Sequence, residues 1–209
     1  MAGTLDQVLR RVLDVVVSAG LLIALVPLLA VIAVLVKATS PGPVLFVQER
    51  VGRDRRPFGL LKFRTMVVNA AEHGSAVTIG RDPRITQVGL ALRRAKLDEL
   101  PQFWNVLRGE MSLVGPRPEV PKYVAHYTPE QARVLAVRPG ITDPASLAYH
   151  DEASLLAQFA DPERAYLQSV LPQKLSMSLA YLERRSMWSD LGVLVRTALQ
   201  LLGAPGATL

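Results

Sequence analysis

The strongest feature of the hydrophobic pattern is a run without a charged residue from Val15 to Val36. About 20 apolar residues is the length that can cross a bilayer. The run is too long for the apolar stretch of a secretory signal, and the following Lys37-Ala-Thr-Ser-Pro-Gly-Pro43 lacks a convincing small-x-small cleavage site. Pro27 interrupts it by removing a backbone donor and crowding the preceding turn. Each half is then about 11 residues, or about 16 Å, too short to cross a core of about 30 Å alone. Arg10 and Arg11 precede the run, and Lys37, Arg50, Arg53, Arg55 and Arg56 follow it. Positive charge on both flanks favours two cytoplasmic ends. A broken helical hairpin that enters and leaves by one face satisfies both features. A kinked spanning helix remains its rival.

Beyond the run, Thr39 to Pro43 is a loop by its turn residues. Val44–Gln48 and Leu60–Phe63 read as short strands, with a turn over Asp54–Gly59. Residues 67–84 read mostly as loop, and 88–95 as a helix. Asp98 is expected to cap a further helix in which Leu100, Phe103, Trp104 and Leu107 form one apolar face, ended by Gly109. Pro101 fits its first turn. Met111 to Pro121 is extended and proline-rich. Helices are predicted over 151–159, 162–171, 172–185 and 189–202, the last apolar enough to lie at a membrane surface or to pack in a core. No repeat or low-complexity tract is present.

Composition sharpens this picture. The 209-residue chain is 50% hydrophobic with a net charge of +6. A basic balance points to anionic partners. Without cysteine, a disulfide framework and a thiolate zinc site are excluded. The six basic residues from Arg50 to Arg64 adjoin the apolar run, which makes anionic lipid the economical partner. No helix-turn-helix or RNA-binding signature accompanies them, so no nucleic-acid partner is expected. His73, His126 and His150 are scattered without ligand spacing and are expected to be structural or exposed. GxSxG, Walker A and GxGxxG are absent.

Asp98-Glu99 is the leading candidate for chemistry. Adjacent carboxylates are common on solvated faces, but a helix N-terminus favours anions, both a carboxylate and an incoming phosphate. Neighbours in a helix do not face one another, so a shared proton is the less natural geometry. One nucleophile beside one metal ligand suits the pair better. Arg93, Arg94 and Lys96 precede it, and Arg117, held between Pro116 and Pro118, follows. Guanidinium groups match phosphate oxygens, although each of these cations also fits a solvated basic face.

The run from Asp98 through Asn105-Val-Leu-Arg-Gly109 to Val114-Gly-Pro-Arg-Pro118 resembles the signature of the bacterial sugar transferases known as monotopic phosphoglycosyl transferases. Lys62-Phe-Arg-Thr-Met66 and Val137-Arg-Pro-Gly-Ile-Thr142 are similar to two more of its blocks. The resemblance covers nearly the whole chain. It implies an α+β, mostly helical fold: a proline-broken re-entrant membrane helix over residues 1–38, then a small cytosolic catalytic lobe over 39–209 with short strands and interfacial helices. It implies transfer of a sugar-1-phosphate from a UDP-sugar to polyprenol (undecaprenyl) phosphate, with release of UMP, at the cytoplasmic face of a bacterial inner membrane. Such a step starts exopolysaccharide, capsule or lipopolysaccharide assembly. Asp98 would be the covalent nucleophile, and Glu99 would help hold Mg²⁺ or handle protons. Lys62, Arg93 and Arg117 would contact phosphates. Membrane lipid is a further implied partner, and a homodimer is left open.

Two departures stand out. Val26 replaces a serine that many members carry before the membrane proline, and Asp143 to Glu152 replaces their Gly-Trp-Ala-Gln block. The nucleotide and sugar contacts of that loop do not transfer. Two alternatives keep their own predictions: direct transfer with Asp98 as base or metal ligand, and a non-enzymatic membrane adaptor indifferent to Asp98.

Overall fold

The structure, a computed structural model, describes residues 4–70 and 82–203. His73, and residues 71–81 of the loop expected over 67–84, lie outside the described residues. The chain opens with two helices, α1 (Thr4–Ala24) and α2 (Val26–Thr39), bent by 64° at Leu25. Pro27 occupies the first turn of α2, where a missing donor costs nothing. Among the described residues no single helix is long and apolar enough to cross a membrane, but this bent pair is, by length and composition.

Both arms of the pair lean on the same lobe. Ile32 and Val36 of α2 are buried with Phe63 and Leu92, and Val17 of α1 packs against Leu113, Val114, Leu147 and Val193. The opposite faces expose Val8, Val12, Val16, Ile23, Val31 and Val34.

Next come β1 (Leu45–Val51) and β2 (Pro57–Phe63), an antiparallel hairpin in which Phe46 pairs with Lys62. The second strand starts three residues earlier than the pattern predicts. A tight turn explains this: Gly52 N–H bonds Arg56 O at 2.8 Å, and Asp54 and Arg55 take left-handed backbone angles. The predicted turn residues Pro57 to Gly59 therefore belong to the ladder.

Helix α3 (Gln87–Arg94) is capped by Thr86, whose hydroxyl accepts from Gly89 N–H. Lys96, with φ 56°, breaks the helical path. Leu97–Glu99 then form a 3-10 turn, and α4 (Gln102–Arg108) starts only after Pro101. Asp98 is thus inside a turn rather than at a helix cap. The expected apolar face of α4 is only partly the buried one: Leu100 and Phe103 pack on the core. Gln102, Asn105 and Val106 are buried, while Trp104 is exposed. Asn105 turns inward because backbone groups of β2 need partners there.

The extended segment yields β3 (Ser112–Val114), followed by α5 (Pro121–Val124). β3 pairs in parallel with β4 (Gly140–Thr142), so two of the sequence blocks meet as neighbouring strands. Gly140 and Gly115 allow the approach: a Cβ on Gly140 would fall 2.1 Å from Gly115 N. Five helices finish the chain: α6 (Pro144–Ala148), α7 (Glu152–Leu156), α8 (Pro162–Ala165), α9 (Leu171–Glu183) and α10 (Met187–Leu201). A π-turn over Tyr166–Val170 leads into α9. Its core joins Tyr123, Leu135, Leu156, Tyr166 and Leu175. The result is mostly helical with two small two-stranded sheets, as the α+β expectation had it. His126 and His150 are exposed, as expected.

Candidate active site

Four elements deliver the candidate residues to one place. Lys62 comes from the end of β2, Arg93 from α3, Asp98 and Glu99 from the 3-10 turn, and Arg117 from the loop after β3. Glu99 is the hub. Lys62 Nζ lies 2.8 Å from its Oε1, to which Arg117 Nη2 also donates, and Arg117 Nη1 lies 3.3 Å from Oε2. Fork geometry of this kind is the strong form of an ion pair.

The two carboxylates are treated very differently. Burial alone would raise the pKa of Glu99, but Arg117 and Lys62 outweigh it and hold the group well below the usual carboxylate range. Asp98 is 6% exposed, and among the described residues no donor bonds its carboxylate. Burial pushes its pKa up, Glu99 adds to that, and Lys62, Arg93 and Lys96 pull against it. Burial also lowers the Lys62 ammonium, with Glu99 opposing. A charged acceptor left without a hydrogen bond, yet surrounded by cations, is well suited to attack an electrophile.

Arg93 reaches the cluster through a close helix–strand approach. Its Nε donates to Thr65 Oγ1 at 2.8 Å. A Cβ on Gly89 would fall 2.1 Å from Thr65 O, so only glycine lets α3 come this near. Arg117 is braced from behind. Arg50 Nη1 donates to Pro118 O at 2.7 Å and lies 3.5 Å from Glu119, which also accepts from the Tyr166 hydroxyl. The basic stretch is therefore divided. Arg50, Lys62 and Arg64 are committed inside, while Arg53, Arg55 and Arg56 stay exposed.

Asn105 is the functional-site residue that sequence reasoning missed. It is fully buried; its amide oxygen accepts from Leu61 N–H at 3.0 Å and its amide nitrogen donates to Gly59 O at 2.7 Å. It thus satisfies the outer edge of β2 beside Lys62. The only signal was a polar residue set between Trp104 and Val106.

A family profile described as bacterial sugar transferase matches residues 5–204. The chain belongs to the bacterial sugar transferase family. Among relatives in that family, a UDP-glucose:undecaprenyl-phosphate glucose-1-phosphate transferase of Caulobacter vibrioides is 40% identical over 95% of this chain and 71% of its own length. A UDP-N-acetylgalactosamine-undecaprenyl-phosphate N-acetylgalactosaminephosphotransferase of Aeromonas hydrophila is 36% identical over 95% of this chain and 45% of its own. An Escherichia coli UDP-glucose:undecaprenyl-phosphate glucose-1-phosphate transferase is 37% identical over 92% and 40%, respectively. The chain thus spans less than half the length of two of these three family members.

Proposed function

We propose that this chain transfers a sugar-1-phosphate from a UDP-sugar to undecaprenyl phosphate at the cytoplasmic face of the inner membrane, through a phosphosugar ester on Asp98. The observation that carries it is the contrast between the two acids: Glu99 is paired with two cations, and Asp98 is buried among cations with its oxygens unbonded. The relatives' names supply the substrate class.

In the first step an Asp98 oxygen attacks the sugar-linked phosphorus. The bond from that phosphorus to the bridging oxygen breaks, and UMP leaves with the oxygen. In the second step an oxygen of undecaprenyl phosphate attacks the same phosphorus. The bond to Asp98 breaks, restoring the carboxylate and giving a sugar linked to the lipid by a diphosphate. Lys62, Arg93 and Arg117 orient the diphosphate and offset charge that builds on it. Glu99, kept ionised across the working range, does not carry protons; it holds Lys62 and Arg117 in place.

The donor set fits Mg²⁺, which takes one or two carboxylates and completes its shell with phosphates and water. Asp98 and the remaining lone pairs of Glu99 would hold the ion, and among the described residues no larger acidic or histidine cluster competes. When bound there it would neutralise charge on the diphosphate.

Membrane entry and exit by one face is the topology we favour. Val17 and Ile32 both pack on the lobe, which leaves the stretch between them, about 20 Å of helix, too short to cross a core of about 30 Å. Exposed Trp104 and the apolar outer faces of α1 and α2 suit the lipid boundary. The pathway served is glycan assembly of the exopolysaccharide, capsule or lipopolysaccharide kind.

The test is a UMP-release screen across UDP-sugars, followed by incubation of the productive radiolabelled donor without acceptor lipid. Label should remain on the denatured protein and be absent from Asp98→Asn. Turnover without trapped label points instead to direct transfer. Unimpaired turnover in Asp98→Asn removes the assignment.

A further inference from the structure

Arg11, Asp14 and Ser18 lie on one face of α1, and Asp14 and Ser18 are buried at 5% and 0% exposure. A buried carboxylate is costly unless its acceptor capacity is used. Here one oxygen is used twice: Oδ1 accepts from Ser112 Oγ–H at 3.1 Å and from Leu113 N–H at 2.9 Å. Ser112 N–H bonds Pro139 O and Gly115 N–H bonds Thr142 O, both on the β4 side. The Leu113 N–H faces the other way, and Asp14 stands where another strand would. Arg11 works beside it, donating to Val106 O at 2.7 Å and Leu107 O at 2.9 Å in the last turn of α4. Cations at a helix C-terminus are favourable.

The two contacts grip the segments that carry the ion pair of the site. Helix α4 follows Glu99, and β3 leads within four residues to Arg117, a reach of about 14 Å even fully extended. The close Gly115–Gly140 approach leaves that stretch little slack. We propose that Asp14, with Arg11, is a positioning residue for phosphosugar transfer: by fixing β3 against α4, the anchor helix sets the spacing of Glu99 and Arg117. This rests on the reading of the site given above.

The test uses the full chain in lipid nanodiscs with the productive UDP-sugar and no acceptor, so that UMP appears as a burst. Burst amplitude counts competent sites, and burst rate reports the chemistry. Asp14→Asn keeps an acceptor for Leu113 N–H and should stay within about threefold of the unaltered rate. Asp14→Leu should keep most of the amplitude and lose about tenfold or more in rate, the scale of a misplacement near the reacting atoms. Its backbone amides over 112–117 should exchange hydrogen at least as many times faster. A lowered amplitude with an unchanged rate would mean a merely structural contact and overturn the proposal.

If Asp14→Leu does not accumulate in membranes, Ser112→Ala removes one donor and leaves α1 intact. A rate about threefold lower is then expected, and an unchanged rate with unchanged exchange overturns the idea. Should the unaltered protein release UMP from no UDP-sugar, the functional reading falls instead. Hydrogen exchange still judges the clamp: faster exchange in the variants supports it, and unchanged exchange sinks it.

Discussion

Asp98 sits in an environment that favours its neutral form, and the proposed attack on phosphorus needs the charged one. Its pKa is raised by burial, so the folded state prefers the protonated acid. That preference stabilises the fold below the pKa of the unfolded chain and is lost as pH rises through the folded value. At neutral pH the ionised group is therefore a cost. Asp98→Asn should raise the melting temperature at pH 7 while ending UMP release, a trade expected where an active site stores unfavourable electrostatics. In the unaltered protein the UMP-release rate should fall with acidification through an apparent pKa above the ordinary aspartate range. A flat profile down to that range would contradict the ionised nucleophile. Glu99 behaves in the opposite sense. Its depressed pKa contributes stability above the ordinary glutamate value, lost as pH falls through the folded one. Glu99→Gln would leave Lys62 and Arg117 facing each other without an anion. With the three side chains 15 to 30% exposed, we expect a loss of about 2 kcal/mol, less than for a fully buried pair, read as a lower denaturant midpoint.

Among the elements, the hairpin and α4 depend on one amide. Replacing Asn105 by leucine would leave Leu61 N–H and Gly59 O unpaired in a buried setting. Each orphaned group costs about 1–3 kcal/mol, so the sum is about 2–6 kcal/mol, a shift of several degrees or more by calorimetry. Asn105→Leu should also weaken the Lys62 contact with Glu99, since Lys62 follows directly on the clamped residue Leu61. A neutral effect on the midpoint would show that β2 needs no partner on that edge. Elsewhere side chains cap some of the helices. Ser186 and Ser189 form a reciprocal capping box at α10, and Asp143 caps α6 while accepting from Ser178 on α9. The divergent loop from Asp143 to Glu152 is thus tied down at its start, and Lys174 bonds Glu152 at 2.6 Å near its end.

For the whole molecule, the proposed one-face entry of the bent helix pair makes a prediction of its own. The chain has no cysteine, so single cysteines report cleanly. Gln7 on α1 and Glu49 on β1 are both exposed. Cysteine at either position should react with an impermeant maleimide from the cytoplasmic side of sealed vesicles. Reaction of the two from opposite sides would replace the re-entrant reading by a spanning one. Pro27→Ala restores a donor at the break and should move the Gln7 label toward the far side.

Local pattern and chemical type determined a good part of this protein. The break at Pro27 follows from a missing N–H, and Lys62, Asp98, Glu99 and Arg117 stand in two blocks whose residue types suit phosphate, with Arg93 just ahead of the second. Most helices after Pro139 were legible from period and turn residues. What folding alone decided is which groups meet across long separations. Asp14 with Leu113, Asn105 with Leu61, and β3 beside β4 join residues 99, 44 and about 28 positions apart, where no local propensity reaches. The face of α4 was legible only in part for the same reason. Periodicity counts apolar residues, but backbone groups on β2 drew Asn105 inward, and Trp104 lies outside. The division of labour between two adjacent acids is likewise tertiary: cations from β2 and from the loop after β3 converge on Glu99 and leave the Asp98 oxygens without a hydrogen bond.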